Sequence, residues 1–224
     1  LSSIADISFA HKSFLPCGLL LNARSILNKI DELHALIECV NPDFVFLTET
    51  WLHGSVPDSF VANTNDYSVI RRDRSERRGG GVCALINKKY SIIPIVINEQ
   101  DVELLAFDIL FEHTKLRFIV CYRRPNYDLS AQQYLISLLS CLTLLCSVDY
   151  TVIIAGGFNL PEASWHDMST SAFHDNIHLP FIEFVREHGF VQFVSEPTRN
   201  SNILDVILST DPLIVSNCYV TDPL

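Results

Sequence analysis

Five polar side chains sit where apolar runs end, and together they offer the chemistry of a phosphodiester held on a hard cation. Asn22 follows Leu19-Leu20-Leu21, and Glu49 follows Val45-Phe46-Leu47-Thr48. Tyr122 ends the run 118–121, Asn159 follows the run 152–155 across a glycine pair, and Asp205 lies inside 203–208. In layered α/β folds, ligands gather where strand ends and their loops converge. Magnesium prefers oxygen ligands and keeps several waters, which an acid, two amides, a phenol and a second acid would suit. Taken singly, each residue has a bland alternative: Glu49 a turn cap, Asn22 a turn residue, Tyr122 a core aromatic with its hydroxyl satisfied. The tetrad Gly156-Gly157-Phe158-Asn159 says most. A strand that ends in a glycine turn and then presents a carboxylate and an amide can hold a metal-bound phosphate. Here the amide is present and the carboxylate is absent.

The elements that must position these groups alternate between strand-like and helix-like patterns. Residues 17–21 and 44–47 read as buried strands, and between them Ile26, Leu27, Ile30, Leu33, Leu36, Ile37 and Val40 recur at helical spacing. Segments 80–86, 92–97, 104–110 and 116–122 are rich in β-branched and aromatic residues with short turns, which predicts an antiparallel meander. A helix near 130–146, a strand at 152–155, a helix near 180–188 and strands near 203–208 and 216–220 complete the chain. The fold class expected is α/β, with two mixed sheets packed face to face and helices on both outer faces.

With 224 residues, 48% hydrophobic and 19% charged, the chain suits one large core, so residues 1–224 are expected to form one domain. Seven cysteines at 17, 39, 83, 121, 141, 146 and 218 form no CxxC pair and lie mostly in apolar runs, which predicts a reduced, intracellular protein, nuclear or cytoplasmic rather than secreted, without structural zinc. The apolar stretch 135–148 is shorter than the ~20 residues a bilayer needs and is expected to be a buried helix, with no membrane contact. Net charge of −10 argues against general polyanion binding. The charge is uneven, however: residues 1–124 hold 14 Lys and Arg against 15 Asp and Glu, and residues 125–224 hold 2 against 11. Arg71, Arg72, Arg74, Arg77 and Arg78 fall within eight residues, and Arg123-Arg124 forms a second pair. Arginine forks match phosphate, so these mark a local phosphate track; the alternative is a solvated loop partly neutralised by Asp73 and Glu76.

Six motifs then occur in order: Asn22-Ala23-Arg24-Ser25, Leu47-Thr48-Glu49-Thr50-Trp51-Leu52, Arg78-Gly79-Gly80-Gly81-Val82, Tyr122-Arg123-Arg124-Pro125, Gly156-Gly157-Phe158-Asn159-Leu160-Pro161, and Pro197-Thr198-Arg199 with Asn202-Ile203-Leu204-Asp205. This pattern resembles the endonuclease/exonuclease/phosphatase superfamily, and within it the apurinic-type endonuclease domain of non-LTR, LINE-like (CR1/L2-type) retrotransposons. The resemblance implies a four-layer α/β/β/α sandwich (DNase I-like) and a cut in target DNA that depends on magnesium, or on manganese in its place. It also implies a reverse transcriptase domain in the same polyprotein and an isolated domain that is monomeric. By the resemblance, Glu49 is the principal metal ligand with Asn22 beside it, and Tyr122 and Asn159 contact the scissile phosphate. Asp205 matches an acid that supports a catalytic histidine or the metal, and Thr198, Arg199 and Asn202 join Arg71, Arg72, Arg74 and Arg123 in holding DNA.

Two departures stand out. The family motif is Gly-Asp-Phe-Asn, and Gly157 replaces the aspartate thought to orient or deprotonate the attacking water. Acid–base catalysis is worth about 10²–10⁴-fold, so a loss at least that large is expected. Relatives close with Ser-Asp-His after a Thr-Asp-Pro-like segment, whereas this sequence runs to Thr221-Asp222-Pro223-Leu224, which reads as truncation just before that motif. His166-Asp167 lies near the altered tetrad, but on the loop after Trp165. No HExxH, Walker, GxSxG or zinc-finger spacing occurs. The readings left are a magnesium-dependent endonuclease by descent, a degenerate copy retaining weak DNA affinity, and a phosphoesterase of another branch.

Overall fold

Alternating side chains along short apolar strands build two facing sheets in this computed structural model, which describes residues 16–74, 79–111, 114–171 and 176–221. In chain order the elements are β1 (Gly18–Asn22), α1 (Ile30–Val40), β2 (Phe44–Thr48), α2 (Asp58–Val61), β3 (Tyr67–Arg72), β4 (Val82–Asn87), β5 (Ile92–Ile95), β6 (Glu103–Phe111) and β7 (Thr114–Tyr122). They continue with α3 (Leu129–Cys146), β8 (Thr151–Gly157), β9 (Ala163–Ser164), β10 (Ser169–Thr170), α4 (His178–Glu187), β11 (Val191–Gln192) and β12 (Asp205–Ser209). One sheet has the order β1-β2-β4-β3 and the other β11-β12-β8-β7-β6-β5, while β9 and β10 form a separate ribbon. Each large sheet is mixed: β1 runs parallel to β2 and β7 parallel to β8, and the remaining pairs are antiparallel.

The two-residue period of a strand divides its side chains between two cores. On β2, Phe44 and Phe46 point into the layer between the sheets, where they meet Phe107, Phe118, Val120 and Ile207. Val45 and Leu47 point the other way, toward Leu33, Leu36 and Ile37 of α1. Phe118 stacks against Phe44 at 4.9 Å and Phe107 at 5.4 Å between ring centroids. The outer face of the six-stranded sheet is covered by Leu135, Leu138 and Leu142 of α3 and Phe181, Ile182 and Val185 of α4. The result is the four-layer α/β/β/α arrangement, with α1 outside one sheet and α3 and α4 outside the other.

Three sequence expectations change. The 18-residue α3 is long and apolar enough to cross a membrane by length and composition, yet it is neither fully buried nor free. Its inner face packs on the sheet while Leu129, Ile136 and Leu144 stay exposed. Residues 216–220 pair with no strand among the described residues; Val215 is buried and Cys218 and Val220 pack against the layer between the sheets from irregular chain. The edge strand β3 was not foreseen, because only Tyr67 of its six residues is buried and no clean alternation marks it.

Gly156 is fixed by close approach rather than by backbone angle. A Cβ at this position would lie 1.8 Å from the carbonyl oxygen of Cys121 on β7. Gly156→Ala therefore has to part the β7–β8 ladder. We expect it to lose about 3 kcal/mol, the upper end for overpacking, in urea unfolding; an unchanged midpoint would show that the strands do not run this close.

Candidate active site

Strand register brings the foreseen polar residues together from both sheets. On the six-stranded sheet, Tyr122 lies opposite Gly157 and Gly157 opposite Asp205, so three adjacent strands end in one row. On the facing sheet, Asn22 lies opposite Thr48, directly before Glu49. The two ends meet at position 157: a Cβ built there would lie 3.0 Å from Asp205 Oδ1, 3.3 Å from Tyr122 Cδ2 and 3.5 Å from Thr48 Oγ1. The space that a side chain at 157 would enter is the centre of the site.

Glu49 is presented by an unusual turn. Its φ is 52° and that of Trp51 is 56°, a left-handed conformation that costs an L-residue on the order of 1 kcal/mol. Backbone bonds from Ser25 N to Glu49 O at 2.9 Å, from Ile26 N to Thr50 O at 3.0 Å and from Trp51 N to Gly80 O at 2.9 Å hold it there. Such over-determined strain is characteristic of functional sites. The last of these clamps needs the glycine run, since Gly79, Gly80 and Gly81 all have positive φ and a Cβ on Gly80 would overlap Glu103 and Arg74.

Asn22 Nδ2 donates to Glu49 Oε1 at 3.0 Å, which orients both groups. Tyr122 is 4% exposed. Burial first, and then the charge of Glu49, to which the phenol is hydrogen-bonded, push its pKa well above the ordinary value, so it is held as a donor. Asp205 is buried, and burial pushes its pKa up to about 7, helped by the charge of Glu49 and opposed by hydrogen bonds from Thr198 and Asn22.

A raised pKa means that the folded state binds this proton more tightly than the unfolded chain. As pH climbs from about 4 to about 7 the unfolded carboxyl ionises first, and stability falls by up to about 4 kcal/mol across that window. Metal-free protein should therefore lose stability between pH 5 and pH 7.5 in urea titrations, and Asp205→Asn should flatten that slope. Equal slopes would contradict the assignment.

Three buried oxygens at the site have no hydrogen-bond partner: Asn22 Oδ1, Thr48 Oγ1 and Asp205 Oδ1. Unpartnered buried polar atoms are rare and costly. Asp205 Oδ1 and Thr48 Oγ1 border the space at Gly157 and the Asn22 amide is bonded to Glu49, so a divalent cation would suit these hard oxygen donors. Among the described residues no group of three or more His, Cys, Asp or Glu side chains gathers for a metal; the donor set here is two acids, an amide oxygen and a hydroxyl. Thr48 was not foreseen, although its place immediately before Glu49 on a buried strand was the available signal.

The basic track reads differently in three dimensions. Arg71 pairs with Asp58 and Asp73, at 3.3 and 3.0 Å. Arg72 donates to the carbonyls of Ile97 and Glu99, and Arg74 and Arg124 both pair with the buried Glu103. Arg77 and Arg78 lie outside the described residues. Arg123 is 1% exposed, and its guanidinium donates to the carbonyls of Phe158, Asn126 and Asn159, so it clasps two loops instead of reaching for phosphate. Asn159 returns the clasp, donating its amide to Arg123 O at 2.6 Å from a 3% exposed position. Thr198 is fully buried and its hydroxyl accepts from Leu204 N and Asp205 N, at 2.9 and 3.1 Å, which fixes the start of β12 rather than touching DNA. Arg199 and Asn202 close a small hairpin through backbone bonds at 2.9 and 3.0 Å and stay partly exposed. His166 and Asp167 are exposed between β9 and β10, with Asp167 hydrogen-bonded to Ser164.

A family model described as endonuclease-reverse transcriptase matches residues 116–223. A search of curated proteins finds no match. Among solved structures, the endonuclease domain of TRAS1, a telomere-specific non-LTR retrotransposon, is similar with a TM-score of 0.63 and 13% identity, over 91% of this chain and 94% of that one. The AP endonuclease LMAP from Leishmania major gives 0.64 and 15%, over 88% and 79%. The catalytic domain of APE2 from Xenopus laevis gives 0.60 and 14%, over 88% and 83%. The matched segment carries Tyr122, Asn159 and Asp205, and the likeness to the solved structures shows that the chain has the fold of these endonucleases, a DNase I-like sandwich whose strand ends converge on Glu49, Asn22 and Asp205.

Proposed function

We propose that this domain is a divalent-metal phosphodiesterase scaffold for DNA, of the retrotransposon endonuclease type, whose turnover is crippled at Gly157. The observation that carries the reading is the convergence at position 157, where three unpartnered oxygens, a strained glutamate and a buried phenol surround a space without a side chain.

Glu49, with Asn22 Oδ1 and Asp205 as neighbours, would hold magnesium, or manganese in its place. That ion would neutralise charge on the non-bridging oxygens of a phosphodiester. Tyr122, kept protonated and hydrogen-bonded to Glu49, would give its one O–H to charge that grows on the phosphate on release from that carboxylate. Asn22 orients Glu49, and the Arg123–Asn159 clasp fixes the loop that follows Gly157. What the scaffold lacks is the carboxylate at position 157 that would position and deprotonate the attacking water. The description of the matched family supports a reverse transcriptase as the covalent neighbour, and seven free thiols fit a reducing compartment.

The test is Gly157→Asp protein assayed on supercoiled plasmid and, in parallel, on small phosphomonoesters and phosphoinositides. Nicking of plasmid alone, stopped by EDTA and by Glu49→Gln, is expected. Turnover of the small phosphoesters without nicking would move the domain to another branch of the superfamily.

A further inference from the structure

Glu103 opens β6 opposite Tyr122, beside the strand ends but outside the donor set described above. It is 4% exposed, and a carboxylate so buried is costly unless its oxygens are bonded. Oε1 accepts from Arg74 Nε at 3.0 Å and from Arg124 Nε at 3.3 Å, which compensates the charge. Oε2 does something else: it accepts from the backbone N–H of Gly81 at 2.6 Å.

That bond reaches the facing sheet. Gly80 and Gly81 lead into β4, and their carbonyls accept from Trp51 N at 2.9 Å and Thr50 N at 3.3 Å, the two amides that follow Glu49. A Cβ on Gly81 would lie 2.7 Å from Thr50 Oγ1, so the glycine run is seated closely against the turn. The left-handed backbone of Glu49 and Trp51 is thus braced by a run that Glu103 anchors. On its own sheet Glu103 is tied to Tyr122 twice, by the β6–β7 ladder and through Tyr134, whose hydroxyl donates to Tyr122 O at 2.7 Å and accepts from Glu103 N at 3.0 Å. One residue joins the strand end that carries the phenol to the turn that carries the glutamate.

We infer that Glu103 is a positioning residue that sets where Glu49 stands relative to Tyr122, acting through the Gly81 amide rather than through its charge. This rests on the divalent-metal reading above.

The experiment compares the unmodified chain with Glu103→Asp and Arg124→Gln. Glu103→Asp keeps the charge, and the long arginine side chains can follow it, but it is one methylene too short for Gly81 N. Its Mn²⁺ affinity is expected to fall about 10–100-fold, the usual cost of disturbing a group that orients a metal ligand. Arg124→Gln, which removes a partly exposed cation and keeps the Gly81 bond, should change that affinity by less than about twofold. A second readout needs no metal: hydrogen exchange at the Thr50, Trp51 and Gly81 amides should quicken about tenfold in Glu103→Asp, with the β6–β7 ladder unchanged.

A merely structural role would lower the urea midpoint of Glu103→Asp and leave both the Mn²⁺ affinity of the folded chain and those three amides as they were; that result overturns the assignment. Greater damage from Arg124→Gln than from Glu103→Asp overturns it as well, since charge and not reach would then matter. If the unmodified chain binds no Mn²⁺, the metal reading falls, and exchange at the three amides still decides whether Glu103 holds the turn.

Discussion

Gly157→Asp is expected to raise magnesium-dependent nicking by about 10²–10⁴-fold, the usual worth of a general acid–base group. The backbone permits the change: Gly157 is absent from the positive-φ residues, so an L side chain adopts its conformation without strain. The new Cβ would approach Asp205 Oδ1 at 3.0 Å, which asks that side chain to give by a few tenths of an ångström, and would aim the carboxylate into the space between Asp205, Tyr122 and Thr48. A second carboxylate beside Asp205 also carries a cost. Two acids at one buried site cannot both ionise without a cation, so the metal-free variant should melt below the parent, and magnesium should recover more stability in the variant than in the parent by linkage to binding. Gly157→Asn fills the same space with no base and is the control. Nicking by Gly157→Asn as fast as by Gly157→Asp would show that bulk at 157, and not a carboxylate, was missing.

Among Arg71, Arg72, Arg74, Arg123 and Arg124, removing the Arg123 guanidinium should produce the largest stability loss. Its Nε donates to Phe158 O at 2.7 Å, Nη1 to Asn126 O at 3.1 Å and Nη2 to Asn159 O at 2.7 Å, and it lies 5.2 Å over the Tyr127 ring. Arg123→Met leaves the carbonyls of Phe158 and Asn126 without that donor and Asn159 O with the Tyr127 hydroxyl, at 2.8 Å, in its place; at about 1–3 kcal/mol for each carbonyl left unpaired, a total of about 2–4 kcal/mol is expected in chemical denaturation. Arg123→Lys should recover little, because an ammonium cannot span the fork of acceptors that a guanidinium does. A phosphate-contacting arginine behaves in the opposite way, with stability intact and the salt dependence of DNA binding reduced by about one unit of slope. If Arg123→Met shows that second pattern, the clasp is misassigned.

The difference between these two arginine roles also shows how far the sequence could be read. The buried strands were legible because their apolar runs are long and bounded by turn residues, and the parallel β1–α1–β2 opening followed from helical spacing between two such runs. Asn22, Glu49, Tyr122 and Asp205 were legible because each ends or opens a run, and register does bring them together. The meaning of Gly157 came from resemblance, and the structure adds that a side chain there would enter the centre of the site. What could not be read was the direction in which long side chains turn. Arg71, Arg72, Arg74 and Arg123 look like a phosphate track in one dimension, yet Arg72, Arg74 and Arg123 find partners that are 25 to 36 residues away in the chain or are backbone carbonyls, which carry no sequence signal, while Arg71 pairs with Asp58 and with its neighbour Asp73. Thr198 was misread for the same reason, since its hydroxyl serves the amides of Leu204 and Asp205. β3 and the irregular course of residues 216–220 depended on tertiary packing that overrides local pattern.

The most direct measurement is the binding of Mn²⁺ to the unmodified chain, with the free ion followed by its paramagnetic resonance signal, beside Glu49→Gln and Gly157→Asp. The account predicts one site per chain, weakened at least tenfold by Glu49→Gln and strengthened by Gly157→Asp, because the proposed site takes Glu49 as its anionic ligand and position 157 opens onto the same strand ends. Binding that is equal in the chain and in Glu49→Gln, or no binding by any of the three, would contradict it.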